Sequence, residues 1–143
     1  MWLLDRIVIV VASAGFFIRL GNLMNSEIYG IQTALPWGFV FIREGELVPK
    51  HPTQLYEALV CLCIFFAMMY FKHKTKMANH PGKIFGFFLV ALFTSRFFIE
   101  FIKNPQSGFE QSMILNMGQI LSIPFALAGV YYLFRKVEPF DSI

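Results

Sequence analysis

Four long apolar runs leave this chain few ways to fold. They lie at roughly residues 3–20, 55–71, 84–102 and 113–134. A bilayer span needs about 20 mostly apolar residues, and each run approaches that length. Composition agrees, since 57% of the 143 residues are hydrophobic and only 15% are charged. A soluble domain is about half apolar and about a quarter charged. Surface of this kind has no soluble core to enter and must face lipid or a very large partner. The expected fold is an all-α integral membrane protein, a single domain of about four transmembrane helices over residues 1–143.

Placement of lysine and arginine orients the spans. Arg6, the loop after the second run (Lys72, Lys74, Lys76, Lys83) and the tail (Arg135, Lys136) share one side and hold seven basic residues. The other side holds three: Arg43, Lys50 and Lys103. Both termini are therefore expected in the cytoplasm, with the loop of residues 21–54 outside. Pro36, Gly38, Gly45, Pro49 and Pro52 punctuate that loop. FVFI followed by REGELVPK suggests a partly structured segment, a short hairpin turning near Glu44 and Gly45. Trp37 and Phe39 suit a membrane interface.

Several function classes fall away. A net charge of +3, carried by scattered residues between apolar runs, is no footprint for nucleic acid. Cys61 and Cys63 lie two apart in an apolar run, where helical neighbours at that spacing do not face each other. They read as small hydrophobes, with a CxC metal site as the weaker alternative because no other soft ligand is near.

Polar residues inside the spans carry more information, because charge in a membrane is costly and marks function. Arg96 and Glu100 are spaced i,i+4 in the third run. The plain reading is an intrahelical ion pair; the sharper one has Glu100 orienting Arg96 toward a cavity, and the two are compatible. Arg19 ends the first run, where an arginine alone could be snorkelling to the headgroups. Its company, RLGNLMNSEIYG, adds Asn22, Asn25, Glu27 and two glycines, Gly21 and Gly30. A guanidinium with amide donors suits a phosphate, glycine allows close backbone approach to a ligand, and Glu27 calls for an arginine partner. HPTQLYEA opens the second run with His51, which read alone is structural or solvated. Gln54 and Glu57 share one face of the helix that follows, and either line the same cavity or bond to neighbouring helices. Asn116 and Gln119 form an i,i+3 pair that reads as packing glue, and Pro124 is expected to kink the fourth run.

Three blocks, in order, give the chain a relative. RLGNLMNSEIYG (Arg19 to Gly30), HPTQLYEA (His51 to Ala58) and SRFFIEFIKNP (Ser95 to Pro105), with GQILSIP (Gly118 to Pro124) after them, resemble the bacterial prolipoprotein diacylglyceryl transferases. The resemblance covers nearly the whole chain. It implies a transferase of the inner membrane that moves the diacylglyceryl group of phosphatidylglycerol to the thiol of the lipobox cysteine in a prolipoprotein signal peptide. It implies no metal and no soluble cofactor. By position, Arg19 would bind phosphatidylglycerol, with Asn22, Asn25, Glu27 and Gly30 in the same signature and His51, Gln54 and Glu57 beside it. Arg96 would be the second essential arginine, held by Glu100.

The resemblance also implies departures. Members of the family have about seven spans, and this chain matches the last four. The N-terminal part, whose histidine-glycine motif offers a candidate base, has no counterpart here. Leu92 stands where many members carry a tyrosine one turn before the third-span arginine. The chain is expected to be the C-terminal part of a longer enzyme, with a split enzyme or a degenerate copy as alternatives. Outside that family, two functions compete. One is a small transporter component using Arg96, Glu100 and Glu57, and the other is a non-catalytic assembly subunit.

Overall fold

A computed structural model describes residues 1–104, 108 and 112–139. Four helices run through it: α1 (Trp2–Met24), α2 (Thr53–Lys74), α3 (Lys83–Ile99) and α4 (Met117–Phe134). The third is continued by a 3-10 turn, Glu100–Ile102. With 18 to 23 residues in each span counted that way, they are roughly 27 to 35 Å long at 1.5 Å per residue, which matches the ~30 Å hydrocarbon core. A helix is the natural form for such runs, because it satisfies every backbone polar group within the segment. The chain is thus a multi-pass membrane protein with an all-α fold, as its hydropathy predicts. Only 17 to 33% of each span's residues are buried within the chain, so most of the helical surface is left for lipid or for other helices.

The interior is small. Val8, Ile9 and Ala12 of α1 meet Ile64 and Met68 of α2 and Ile84, Phe88 and Leu89 of α3. Asp5, which hydropathy passes over, ties one end of this core together. Its two carboxylate oxygens accept the Gly82 N–H at 2.6 Å and the Phe85 N–H at 2.8 Å. A carboxylate from α1 therefore caps the start of α3, where the helix has open N–H groups and positive field.

At the opposite end, α4 begins with a reciprocal capping box between Asn116 and Gln119. The same two residues bind α3, since Asn116 Nδ2 donates to the Glu100 carbonyl and Gln119 Nε2 to the Phe97 carbonyl, both at 3.3 Å. Their reading as packing glue holds. Pro124 lies inside α4.

The α3–α4 contact depends on two glycines. A Cβ on Gly86 would sit 2.8 Å from the Gly129 carbonyl oxygen, and one on Gly129 would sit 2.8 Å from that of Gly86. Close backbone approach through small residues is a usual route to packing in lipid. Gly86→Val is expected to force the helices apart and destabilise the bundle by about 1–3 kcal/mol. Denaturant unfolding in detergent micelles checks this. The control is Gly21→Ala, where a Cβ would meet nothing within 4 Å; equal losses at both positions would refute the packing argument.

Between α1 and α2 the long loop is stitched by isolated antiparallel bridges, Gly30↔Lys103, Gln32↔Lys50 and Phe39↔Lys50. The expected hairpin is reduced to one such pair. Phe39 and Lys50 exchange bonds of 3.0 and 2.8 Å, and a 3-10 turn at Ile42–Glu44 ends on Gly45 at φ +74°.

Candidate functional site

The first turn of α2 organises the site. Thr53 and Gln54 are fully buried there. Thr53 Oγ1 donates to the Ile28 carbonyl at 2.9 Å, and Gln54 Nε2 donates to the Glu27 carbonyl. These bonds hold the chain leaving α1 in an unusual shape, with Ser26 at φ +59° and Ile28 at φ +58°. That left-handed region is unfavourable for a β-branched residue, so its neighbours must impose it. Gly30 follows, buried. A Cβ there would lie 2.5 Å from the Ile102 carbonyl oxygen and 2.7 Å from His51 Cβ. The close approach that Gly30 permits in this structure is to protein backbone at the end of α3.

With α1, α2 and α3 held in this way, a cavity of about 250 Å³ opens between them. Arg19, Glu57, Ser95 and Arg96 supply its polar wall, while Val11, Ile18, Phe88, Leu92 and others supply the apolar one. Two arginines 77 residues apart in sequence, from different helices, thus face one space. Glu57 is their neighbour. It is buried at 7% exposure, with Arg19 Nε 3.1 Å from Oε2 and Lys103 Nζ 3.1 Å from Oε1. The Lys103 contact is a hydrogen bond. The Arg19 contact is close but off the hydrogen-bond direction, since Oε2 accepts none, so it acts as charge pairing. It is made through Nε, and the four N–H groups on Nη1 and Nη2 have no partner among the described residues.

Arg96 differs from the expectation. It is half-buried and has no ion pair among the described residues. Glu100 instead faces Lys103, with Nζ 3.7 Å from Oε2, and lies against α4, where a Cβ on Gly118 would meet its Cδ at 2.8 Å. The physical reason is a competing cation, Lys103, on the turn that follows. Glu100 still closes the last α turn, its N–H donating to the Arg96 carbonyl, and the 3-10 turn that begins there brings Lys103 round to the Glu100 carboxylate. Glu100 is not a wall of the cavity.

Other expectations divide. Glu27 is exposed and has no arginine partner among the described residues; it contributes its carbonyl, not its carboxylate. Asn22 is half-buried and Asn25 caps α1 at its C-terminus; neither lines the cavity. Gln54 bonds to the loop, while Glu57 lines the cavity. His51 sits in the α1–α2 loop with Nδ1 3.1 Å from the Tyr56 hydroxyl, which accepts from Trp37 Nε1 at 2.9 Å. In that loop Tyr29 donates to Glu46 at 3.1 Å; burial first, and this carboxylate second, push its hydroxyl pKa above the ordinary tyrosine value. Cys61 is buried against the cavity and Cys63 is exposed on another face. Pro105, the end of the third sequence block, lies outside the described residues.

Lys103 is the residue that sequence reading missed. Counted there as a loop charge, it is 4% exposed. The available signal was a deficit: Glu57 and Glu100 both sit in apolar runs, and Lys103 lies three residues past Glu100.

Comparison with known proteins places the chain. A family model described as prolipoprotein diacylglyceryl transferase matches residues 1–135. A relative from Bacteroides fragilis is 48% identical over 134 residues, covering 94% of this chain and 48% of its own length. One from Porphyromonas gingivalis is 48% identical over 151 residues, covering 96% and 53%. One from Tolumonas auensis is 47% identical over 130 residues, covering 91% and 50%. All three are named phosphatidylglycerol--prolipoprotein diacylglyceryl transferase. The chain spans about half the length of the curated relatives it matches. No solved structure matches it.

Proposed function

We propose that this chain, which belongs to the prolipoprotein diacylglyceryl transferase family, carries the phosphate-gripping half of an enzyme that transfers diacylglyceryl from phosphatidylglycerol to a prolipoprotein cysteine. The observation that carries the reading is the shared cavity, with Arg19 tethered through Nε and Arg96 without an ion pair among the described residues. An unpaired cation in a span is costly, and an anionic headgroup between the two guanidinium groups offsets that cost. The apolar walls from α1 and α3 suit the start of the acyl chains.

In the reaction, a thiolate attacks the glyceryl carbon that bears the phosphate. A C–S bond forms, the C–O bond to phosphate breaks, and glycerol phosphate leaves with the electron pair. The two arginines stabilise charge collecting on that leaving group. The thiol must first lose its proton, because the thiolate is the nucleophile. His51 is engaged with Tyr56 and is not a wall of the cavity, so we assign the proton acceptor to a segment equivalent to the other half of the relatives. The lipobox cysteine would enter from the side of the outer loop. The bias of basic residues supports an inner-membrane orientation with both termini cytoplasmic. Glu100, with Lys103 and Gly118 as neighbours, is scaffold in this reading.

The test joins this chain behind the N-terminal half of the Bacteroides fragilis relative and supplies labelled phosphatidylglycerol with a lipobox peptide. Label is expected on the peptide cysteine, and none on a Cys→Ser peptide. A chimera that assembles in membranes, yet transfers no label where the intact relative does, would sink the proposal.

A further inference from the structure

A second recess lies at the end of the bundle opposite Arg19 and Arg96, where α3 begins and α4 ends. It holds about 590 Å³ and is walled by His80, Lys83, Arg135, Lys136 and Glu138, with Phe134, Val137 and Pro139. Three permanent cations thus face one carboxylate. The local chain direction builds the site. At Arg135 the backbone leaves the helix (φ −57°, ψ 128°), which carries Arg135 and Lys136 off the α4 axis. Lys83 Nζ donates to the Leu133 carbonyl at 2.5 Å, fixing an ammonium at the rim with two further N–H groups to offer. Arg135 and Lys136 are exposed and have no ion pair among the described residues. His80 Nδ1 is buried with no hydrogen-bond partner among the described residues.

The apolar part of the wall decides the class of ligand. Phe134 is 80% exposed and continues the lipid-facing surface of Val130 and Tyr131. A free anion would use only the cationic half of the recess. A molecule with phosphate at one end and hydrocarbon at the other uses both. Basic pockets at helix ends take anionic headgroups for this reason. We infer that this recess binds the phosphate headgroup of an anionic phospholipid in the leaflet opposite the proposed active site. A simpler account, in which these cations only set topology, leaves unexplained why they converge on one recess with an apolar wall.

The test counts lipids retained by the full chain. It is reconstituted in bilayers of phosphatidylcholine containing phosphatidylglycerol, and bound phosphatidylglycerol is read by native mass spectrometry. Arg135→Gln with Lys136→Gln should weaken retention at this site about thirtyfold, at roughly fivefold per cation. Glu138→Gln should strengthen it by about fivefold, a gain that misfolding cannot mimic. Arg19→Gln with Arg96→Gln should remove a different bound lipid and leave this one. Failure of that pair to change retention would count against the proposed function and not against the recess. Competition by excess inorganic phosphate, with no preference for phosphatidylglycerol, would overturn the lipid assignment. Unchanged retention in both the Arg135/Lys136 and Glu138 variants would overturn the site.

Discussion

Arg96→Lys is expected to lower diacylglyceryl transfer by about a hundred- to a thousandfold, while the helical fold and membrane insertion stay intact. The substitution keeps the charge, so loss of activity would report geometry. Arginine presents a planar fork that matches two phosphate oxygens, whereas lysine is a compact point charge. Nothing among the described residues competes for Arg96, because Glu100 turns toward Lys103 and Gly118. The full fork is therefore available to a ligand in the cavity that Arg19 also lines. If it grips charge that develops as glycerol phosphate leaves, kcat should fall with kcat/KM, and KM for phosphatidylglycerol should change little. The chimeric enzyme described above, assayed with labelled lipid over a range of concentrations, separates these quantities. Transfer within tenfold of the unsubstituted chimera would remove Arg96 from the reaction.

How much of this could be read from residues alone depends on the range of the interaction. The four spans follow from local hydropathy and were legible. The Asn116–Gln119 pair was legible as an i,i+3 packing pair, while its capping box at the start of α4 was not read although that motif is local. The Arg96–Glu100 pairing was misleading. The helical register it assumed is present, with the Glu100 N–H on the Arg96 carbonyl, but local spacing does not show that Lys103 and Gly118 are the neighbours of the Glu100 carboxylate. The convergence of Arg19 with Arg96 could be inferred only through the family resemblance, since no periodicity links residues on separate helices. Gly30 was rightly expected to admit something close, but what it admits is the Ile102 carbonyl. The left-handed turns at Ser26 and Ile28 occur without glycine. They are imposed by Thr53 and Gln54 from a distant helix, so no turn signal announces them.

Glu57→Gln is expected to destabilise the bundle by about 3–5 kcal/mol, the usual effect of removing one partner from a buried ion pair. Glu57 is the carboxylate shared by Lys103 and Arg19, each 3.1 Å away. Without its charge, Lys103 at 4% exposure retains only Glu100, at 3.7 Å. Two cations that now share a neutral neighbour repel each other, and Arg19, the less buried of the pair, is the one free to move. Transfer should therefore fall as well, through loss of Arg19 placement. Lys103→Met separates the two effects. It removes the buried cation while leaving Glu57 to hold Arg19, so the double variant Glu57→Gln/Lys103→Met should be more stable than Glu57→Gln alone. In a double-mutant cycle, denaturant unfolding should show that rescue while transfer stays low, because Arg19 still lacks its carboxylate. A double variant that loses the sum of both single effects would mean that the three charges do not act on one another, and that Glu57 does not position the guanidinium of α1.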